Sequence, residues 1–125
     1  MKDDELDQNI ADTLCSLDDC NEFCLQTMTY CLEKGEKYSS KENISLLMDC
    51  SDICKMTESF LLRESIYTGD FLDLCVGICE DCKSSCEEFK NDKIMHECAK
   101  VCGDCAQACS EMVEAQEEDF EEVEK

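Results

Sequence analysis

The apolar positions of this chain recur at helical spacing, and at many of them the side chain is cysteine. Between Cys75 and Cys109 the sequence reads CVGICEDCKSSC, breaks, and resumes as CAKVCGDCAQAC. Both halves carry the spacing C-x3-C-x2-C-x3-C, at Cys75, Cys79, Cys82, Cys86 and then at Cys98, Cys102, Cys105, Cys109. At about 100° per residue, offsets of 4, 7 and 11 fall close together in angle, so each quartet forms one stripe along a helix. Two such stripes separated by a short break predict an antiparallel helical hairpin with its thiols facing inward.

The same repeat, diluted, runs through the first half. The pattern predicts a helix from Asp12 to about Glu33, closed by Gly35, with Cys20, Cys24 and Cys31 on one stripe and Thr27 in the slot of a missing cysteine. Cys15, five residues before Cys20, lies well off that stripe. A second helix is expected to start after Ser39, with Glu42 completing a capping box, and to end at Gly69. It pairs Cys50 with Cys54, while Asn43 and Leu47 hold the preceding register positions. The third helix is expected from Asp70 to Lys90, and Asn91 or Asp92 would cap a fourth that runs to about Ala115. Residues 1–11 and 116–125 read as frayed acidic ends. Four helices joined by short turns predict an all-α fold, an antiparallel up-down-up-down four-helix bundle with a cysteine-lined core, formed by a single domain of 125 residues.

Free cysteine packs as a small hydrophobe, but leucine or alanine would fill the same space without inviting oxidation or stray metal. Fourteen cysteines would mark a disulfide scaffold in a secreted chain. The opening MKDDELDQNI has no basic region followed by an apolar run, so a cytoplasmic location and reduced thiols are expected. Geometry agrees, because helix neighbours at i and i+4 have Cβ atoms about 5–6 Å apart and a disulfide wants roughly 3.5–4.5 Å. The i,i+4 pairs are Cys20/Cys24, Cys50/Cys54, Cys75/Cys79, Cys82/Cys86, Cys98/Cys102 and Cys105/Cys109, leaving Cys15 and Cys31 over.

The net charge of −21, from 32 acidic and 11 basic residues, excludes a nucleic-acid partner and disfavours anionic membranes. No apolar run has membrane-spanning length. CEDC and CGDC lack the strand-loop-helix setting of redox C-x2-C motifs, and no nucleophile is paired with a histidine base, so no enzyme activity is expected.

Thiolates are soft ligands for Cu(I), zinc and iron-sulfur clusters. Zinc knuckles and cluster-binding loops wrap their metal, which proline-free regular helices do not do. Cu(I) accepts two or three sulfurs, so each i,i+4 pair can hold an ion and a ladder of pairs holds many. One Cu(I) between two thiolates leaves a buried negative charge, whereas loading toward one copper per cysteine gives a neutral, clustered core. The reading is therefore a Cu(I) store holding multiple ions per chain. An iron-sulfur electron carrier and a zinc or cadmium thiolate sponge are the alternatives.

The run DCSDIC, the quartet CVGICEDCKSSC and the segment HECAKVCGDCAQAC resemble the cysteine-rich four-helix-bundle copper storage proteins, over a span from about Cys15 to Met112. That resemblance implies inward cysteines that take up many Cu(I) ions, a tetramer or other homo-oligomer, and a cytosolic location for members without a signal peptide. Partners expected are copper ions and a copper chaperone or cuproenzyme that exchanges them. Thiol slots at Thr27, Asn43, Leu47 and Met95 lack cysteine, which points to a lower capacity than that of the most cysteine-rich relatives. Met95 and Met28 are candidate thioether ligands, and His96 is a further candidate although it stands about 160° from the Cys98 stripe. In an up-down bundle Met28, Cys31, Asn43, Cys86, Met95, His96 and Cys98 gather at one mouth, where copper is expected to pass. Leu17, Phe60, Leu61, Phe71 and Leu72 gather at the other.

Overall fold

A computed structural model describes the backbone of residues 3–124 and the side chains of residues 7–116. Four helices carry it: α1 (Asp3–Lys34), α2 (Lys41–Leu62), α3 (Thr68–Glu87) and α4 (Lys93–Glu124), with a short 3-10 helix at Glu36–Ser39 between the first two. No strand occurs among the described residues. α1 packs beside α2 and α4, and α3 beside the same two, so consecutive helices are antiparallel neighbours around one core. That is the predicted all-α, up-down-up-down four-helix bundle.

The helix ends are set by local chemistry. α1 stops where Gly35 takes φ 72°, a left-handed value that costs glycine nothing, and the Gly35 N–H bonds the Cys31 carbonyl at 3.1 Å. Ser40, one residue later than expected, caps α2 by accepting from the Asn43 N–H at 3.2 Å. Ser39 is spent inside the 3-10 helix, where its hydroxyl donates to the Glu36 carbonyl. Gly69 does not end α2. The helix stops at Leu62 and Glu64 takes the left-handed φ of 52°, leaving Gly69 in the first turn of α3. Thr68 locks that corner by donating to the Ser65 carbonyl at 2.6 Å and the Phe60 carbonyl at 3.2 Å.

α3 ends three residues before the predicted Lys90, and Asp92 supplies the predicted cap of α4 by accepting from the Met95 N–H at 3.0 Å. α4 then runs nine residues past the predicted Ala115, through a stretch of good helix formers with no glycine or proline. α1 likewise begins at Asp3, within the segment expected to fray. For residues 1, 2 and 125 that expectation lies outside the described residues.

One side of each helix faces the core, and sulfur fills the middle of it. Cys20, Cys24, Cys31, Cys50, Cys54, Cys75, Cys79, Cys82, Cys86, Cys98, Cys102, Cys105 and Cys109 are all fully buried. Beyond the thiols, towards the end where α2 leads into α3, the core is closed by Leu17, Leu61, Leu72 and Met112, with Phe60 against Phe71 at 4.3 Å between ring centroids. Thr57 donates to the Phe71 carbonyl there at 3.4 Å. No helix among the described residues is long and apolar enough to cross a membrane.

Candidate metal centre

The i,i+4 spacing puts thiols one above another on each helix, and the bundle turns those columns towards one another. Across helices Cys20 lies 3.6 Å from Cys50, Cys50 lies 3.6 Å from Cys79, and Cys54 lies 3.8 Å from Cys105. Cys24 and Cys102 are 3.8 Å apart, and Cys75 is 3.9 Å from both Cys54 and Cys109. Contacts across the diagonal of the bundle, such as Cys50 to Cys102 at 3.9 Å, are made sulfur to sulfur. All fourteen cysteines are free thiols.

Three groups of four sulfurs stand within 4.8 Å of one another: Cys20, Cys24, Cys50, Cys102; then Cys20, Cys50, Cys54, Cys79; then Cys54, Cys75, Cys79, Cys105. The middle group shares Cys20 and Cys50 with the first and Cys54 and Cys79 with the third. The groups therefore form a continuous stack with common corners. A metal held at one level shares thiolates with the next, which is the geometry of a cluster and not of separate sites.

Above the stack Thr27 and Leu47, both buried, occupy the α1 and α2 slots where a further layer of sulfur would stand. α3 and α4 carry the column onward through Cys82, Cys86 and Cys98. At its far end the Cys31 thiol meets the Met95 thioether at 3.5 Å, and both are fully buried. Asn43 donates to the Cys31 sulfur at 3.3 Å and to the Tyr38 carbonyl at 2.7 Å. Its role as a bridge could not be read from its place in the thiol register.

The predicted mouth is not open. Tyr30 and Tyr38 each donate to Oδ2 of Asp92 at 2.7 Å, and Tyr38 stacks on Phe89 at 4.5 Å between centroids. These groups cover Cys31 and Met95. Met28 is half-buried beside the core. His96 and Cys15 are exposed, and the structure does not bring either to the sulfur array. His96 lies in a surface groove with Asn91, Asp92, Lys93, Glu97 and Lys100.

Dry surroundings and close neighbours hold most of the buried thiols protonated, while bonds from neighbouring thiols pull Cys20, Cys50, Cys75 and Cys98 the other way. The neighbouring thiols of Cys82 and Cys98, together with burial, push Cys86 up, and those of Cys105 and Cys75 do the same to Cys109. Cys54 is pushed up by Cys105 first, and Cys31 by burial, which the Asn43 bond only partly offsets. The ordinary thiol value is 9.0. A folded-state value above it means that the unfolded chain releases protons the fold retains. The metal-free reduced bundle should then keep this contribution below about pH 9 and lose it as the pH rises further. Thermal unfolding followed by circular dichroism at about pH 9 and 10.5 checks this, and a midpoint that held steady or rose between the two would contradict it.

Comparison with known proteins places these features in context. A family model described as copper storage protein matches residues 6–114. A crystal structure of a protein from Nitrosospira multiformis is 31% identical, with a TM-score of 0.81 over 87% of this chain and 98% of that one. The cytosolic copper storage protein of Streptomyces lividans, solved with five coppers, is 26% identical, with a TM-score of 0.76 over 85% of this chain and 92% of that one. It has also been solved loaded with 10 copper equivalents. A curated relative, the uncharacterized cysteine-rich protein YhjQ of Bacillus subtilis, is 32% identical over 64 residues, 51% of this chain, and the match spans 59% of that relative's length.

Proposed function

The chain belongs to the copper storage protein family, and from that membership we propose that it stores Cu(I), holding many ions at once on its inward-facing thiolates. The observation that carries this reading is the stack of three four-sulfur groups joined through Cys20, Cys50, Cys54 and Cys79. Each thiol gives up its proton as it takes a share of a copper ion, so uptake releases protons and weakens as the pH falls. One Cu(I) per thiolate leaves the interior neutral, which a dry core of thirteen buried thiols requires. Cys31 and Met95 offer a softer terminal pair above the stack.

Sulfur separations of 3.6–3.9 Å also suit a tetrahedral zinc site, whose edges are about 3.8 Å for bonds of about 2.3 Å. Charge separates the two readings. Four thiolates around one zinc carry two uncompensated negative charges, and zinc ions in all three groups, bridged through the shared corners, would still leave two on the thiolates of the stack. Cu(I) is the cargo that neutralises the array.

A cytosolic location, supported by the cytosolic relative from Streptomyces lividans, completes the proposal together with assembly as a tetramer and exchange of copper with a chaperone or cuproenzyme. Anaerobic titration of reduced protein with Cu(I) should saturate well above six ions per chain, since the i,i+4 thiol pairs alone offer that many positions. Saturation at one or two ions would end the storage reading.

A further inference from the structure

The thiol column reaches the two ends of the bundle under different covers. At the end beside Leu61 and Leu72 the cover is packed aliphatic and aromatic side chain, and parting it would expose apolar surface to water. At the Cys31–Met95 end the cover is held largely by polar contacts converging on a single carboxylate. Asp92 takes both phenol hydroxyls on Oδ2 and the Met95 N–H on Oδ1. Burial works against ionisation of Asp92, but the bonds from Met95, Tyr38 and Tyr30 outweigh it and hold the carboxyl below its ordinary range.

The piece that carries Tyr38 is small and weakly seated. The 3-10 helix Glu36–Ser39 contains no fully buried residue, and its apolar seat is a single half-buried ring, Tyr38, resting against Phe89. Left-handed residues lead into it at Gly35 and Glu36, and Asn91 at φ 63° precedes Asp92 on the opposite side of the clasp. Lys34 lies over the Tyr30 and Tyr38 rings at 5.8 and 5.3 Å, on the outer side of the cover. Directly beneath, Asn43 holds the Tyr38 carbonyl with one N–H and the Cys31 sulfur with the other, so the first sulfur and the cover share a fastening.

We propose that the Tyr30–Asp92–Tyr38 clasp is a gate: copper reaches and leaves the thiol array at the Cys31–Met95 end when Tyr38 and its 3-10 helix swing away from Asp92. This rests on the storage reading and adds a rate-setting element to it. The gate changes how fast copper moves and leaves the number held unchanged, because neither phenol nor the Asp92 carboxylate belongs to the sulfur array. Opening as the slow step also predicts that the uptake rate levels off as the concentration of a Cu(I)–chelator donor is raised.

The test compares reduced full-length wild type with Tyr30→Phe/Tyr38→Phe, which keeps both rings and deletes both hydroxyls. The plateau rate of Cu(I) transfer from the donor, and the rate of removal by excess chelator, should each rise roughly tenfold, as expected for losing hydrogen bonds to a charged group. Capacity and the far-ultraviolet spectrum should stay as in wild type. Thr57→Val at the opposite end should leave both rates unaltered, and equal acceleration there would overturn the gate. A folded double variant with full capacity and wild-type rates overturns the gate alone, whereas a wild type that binds only one or two Cu(I) overturns the storage reading beneath it.

Discussion

Replacing Cys50 and Cys54 together by alanine should lower the number of Cu(I) ions the chain holds by roughly a third, well beyond the share of two thiols, because every four-sulfur group then loses a ligand. Cys50 belongs to the first and middle groups and Cys54 to the middle and third. Cys50 stands 3.6 Å from both Cys20 and Cys79, and Cys54 stands 3.8–3.9 Å from Cys75, Cys79 and Cys105. Removing the pair therefore cuts the stack at its shared corners. The matched comparison is Cys105→Ala/Cys109→Ala, which deletes the same number of thiols but touches only the third group. It should cost about two ions. Anaerobic titration of both reduced variants decides the matter: equal losses would mean that capacity counts thiols and owes nothing to the shared corners. Each cysteine-to-alanine change leaves a small cavity worth about 1 kcal/mol, which the helical fold should survive.

Copper loading should raise the thermal unfolding midpoint by more than about 20 °C. A ligand that binds only the folded state stabilises it by about 4 kcal/mol when present at a thousand times its dissociation constant, and several such ions act together here. In a domain of this size each kcal/mol is worth roughly 4 °C. The metal-free reduced chain should nevertheless be helical at room temperature, since protonated thiols pack as small apolar groups and Ser40 and Asp92 cap their helices without metal. Circular dichroism melts of the reduced protein with and without Cu(I), and again after the metal is stripped by a strong chelator, measure the difference. A loaded protein that melts with the apoprotein would show that copper sits on the surface and not among the buried thiols.

The helical stripes of cysteine were legible because helix geometry is local: residues four and seven apart share a face whatever surrounds them. The caps were legible for the same reason where a single residue does the work, as Gly35 does, and for α4 as far as the pair Asn91 and Asp92, of which Asp92 makes the bond. The cap of α2 was misread. Ser39 and Ser40 are chemically equal candidates, and only the 3-10 helix that takes up Ser39 leaves Ser40 to cap α2. Gly69 carries the usual signal of a helix end, yet Glu64 accepts the left-handed conformation five residues earlier, where Thr68 can bond back across the corner.

Residue spacing along the chain thus determined by itself that there would be four helices, that each would line one side with sulfur, and that Cys15 and His96 would stand off those stripes, because all of this depends on rotation about a single helix axis. Tertiary structure alone decided which thiols meet. Cys20, Cys50, Cys54 and Cys79 come from three helices, and their convergence depends on the relative height and roll of those helices, which no period in the sequence encodes. The cover over Cys31 and Met95 is of the same kind. Tyr30, Tyr38 and Asp92 belong to three separate elements with no common spacing, and they are joined because the bundle delivers two phenols and one helix N-terminus to a single buried carboxylate.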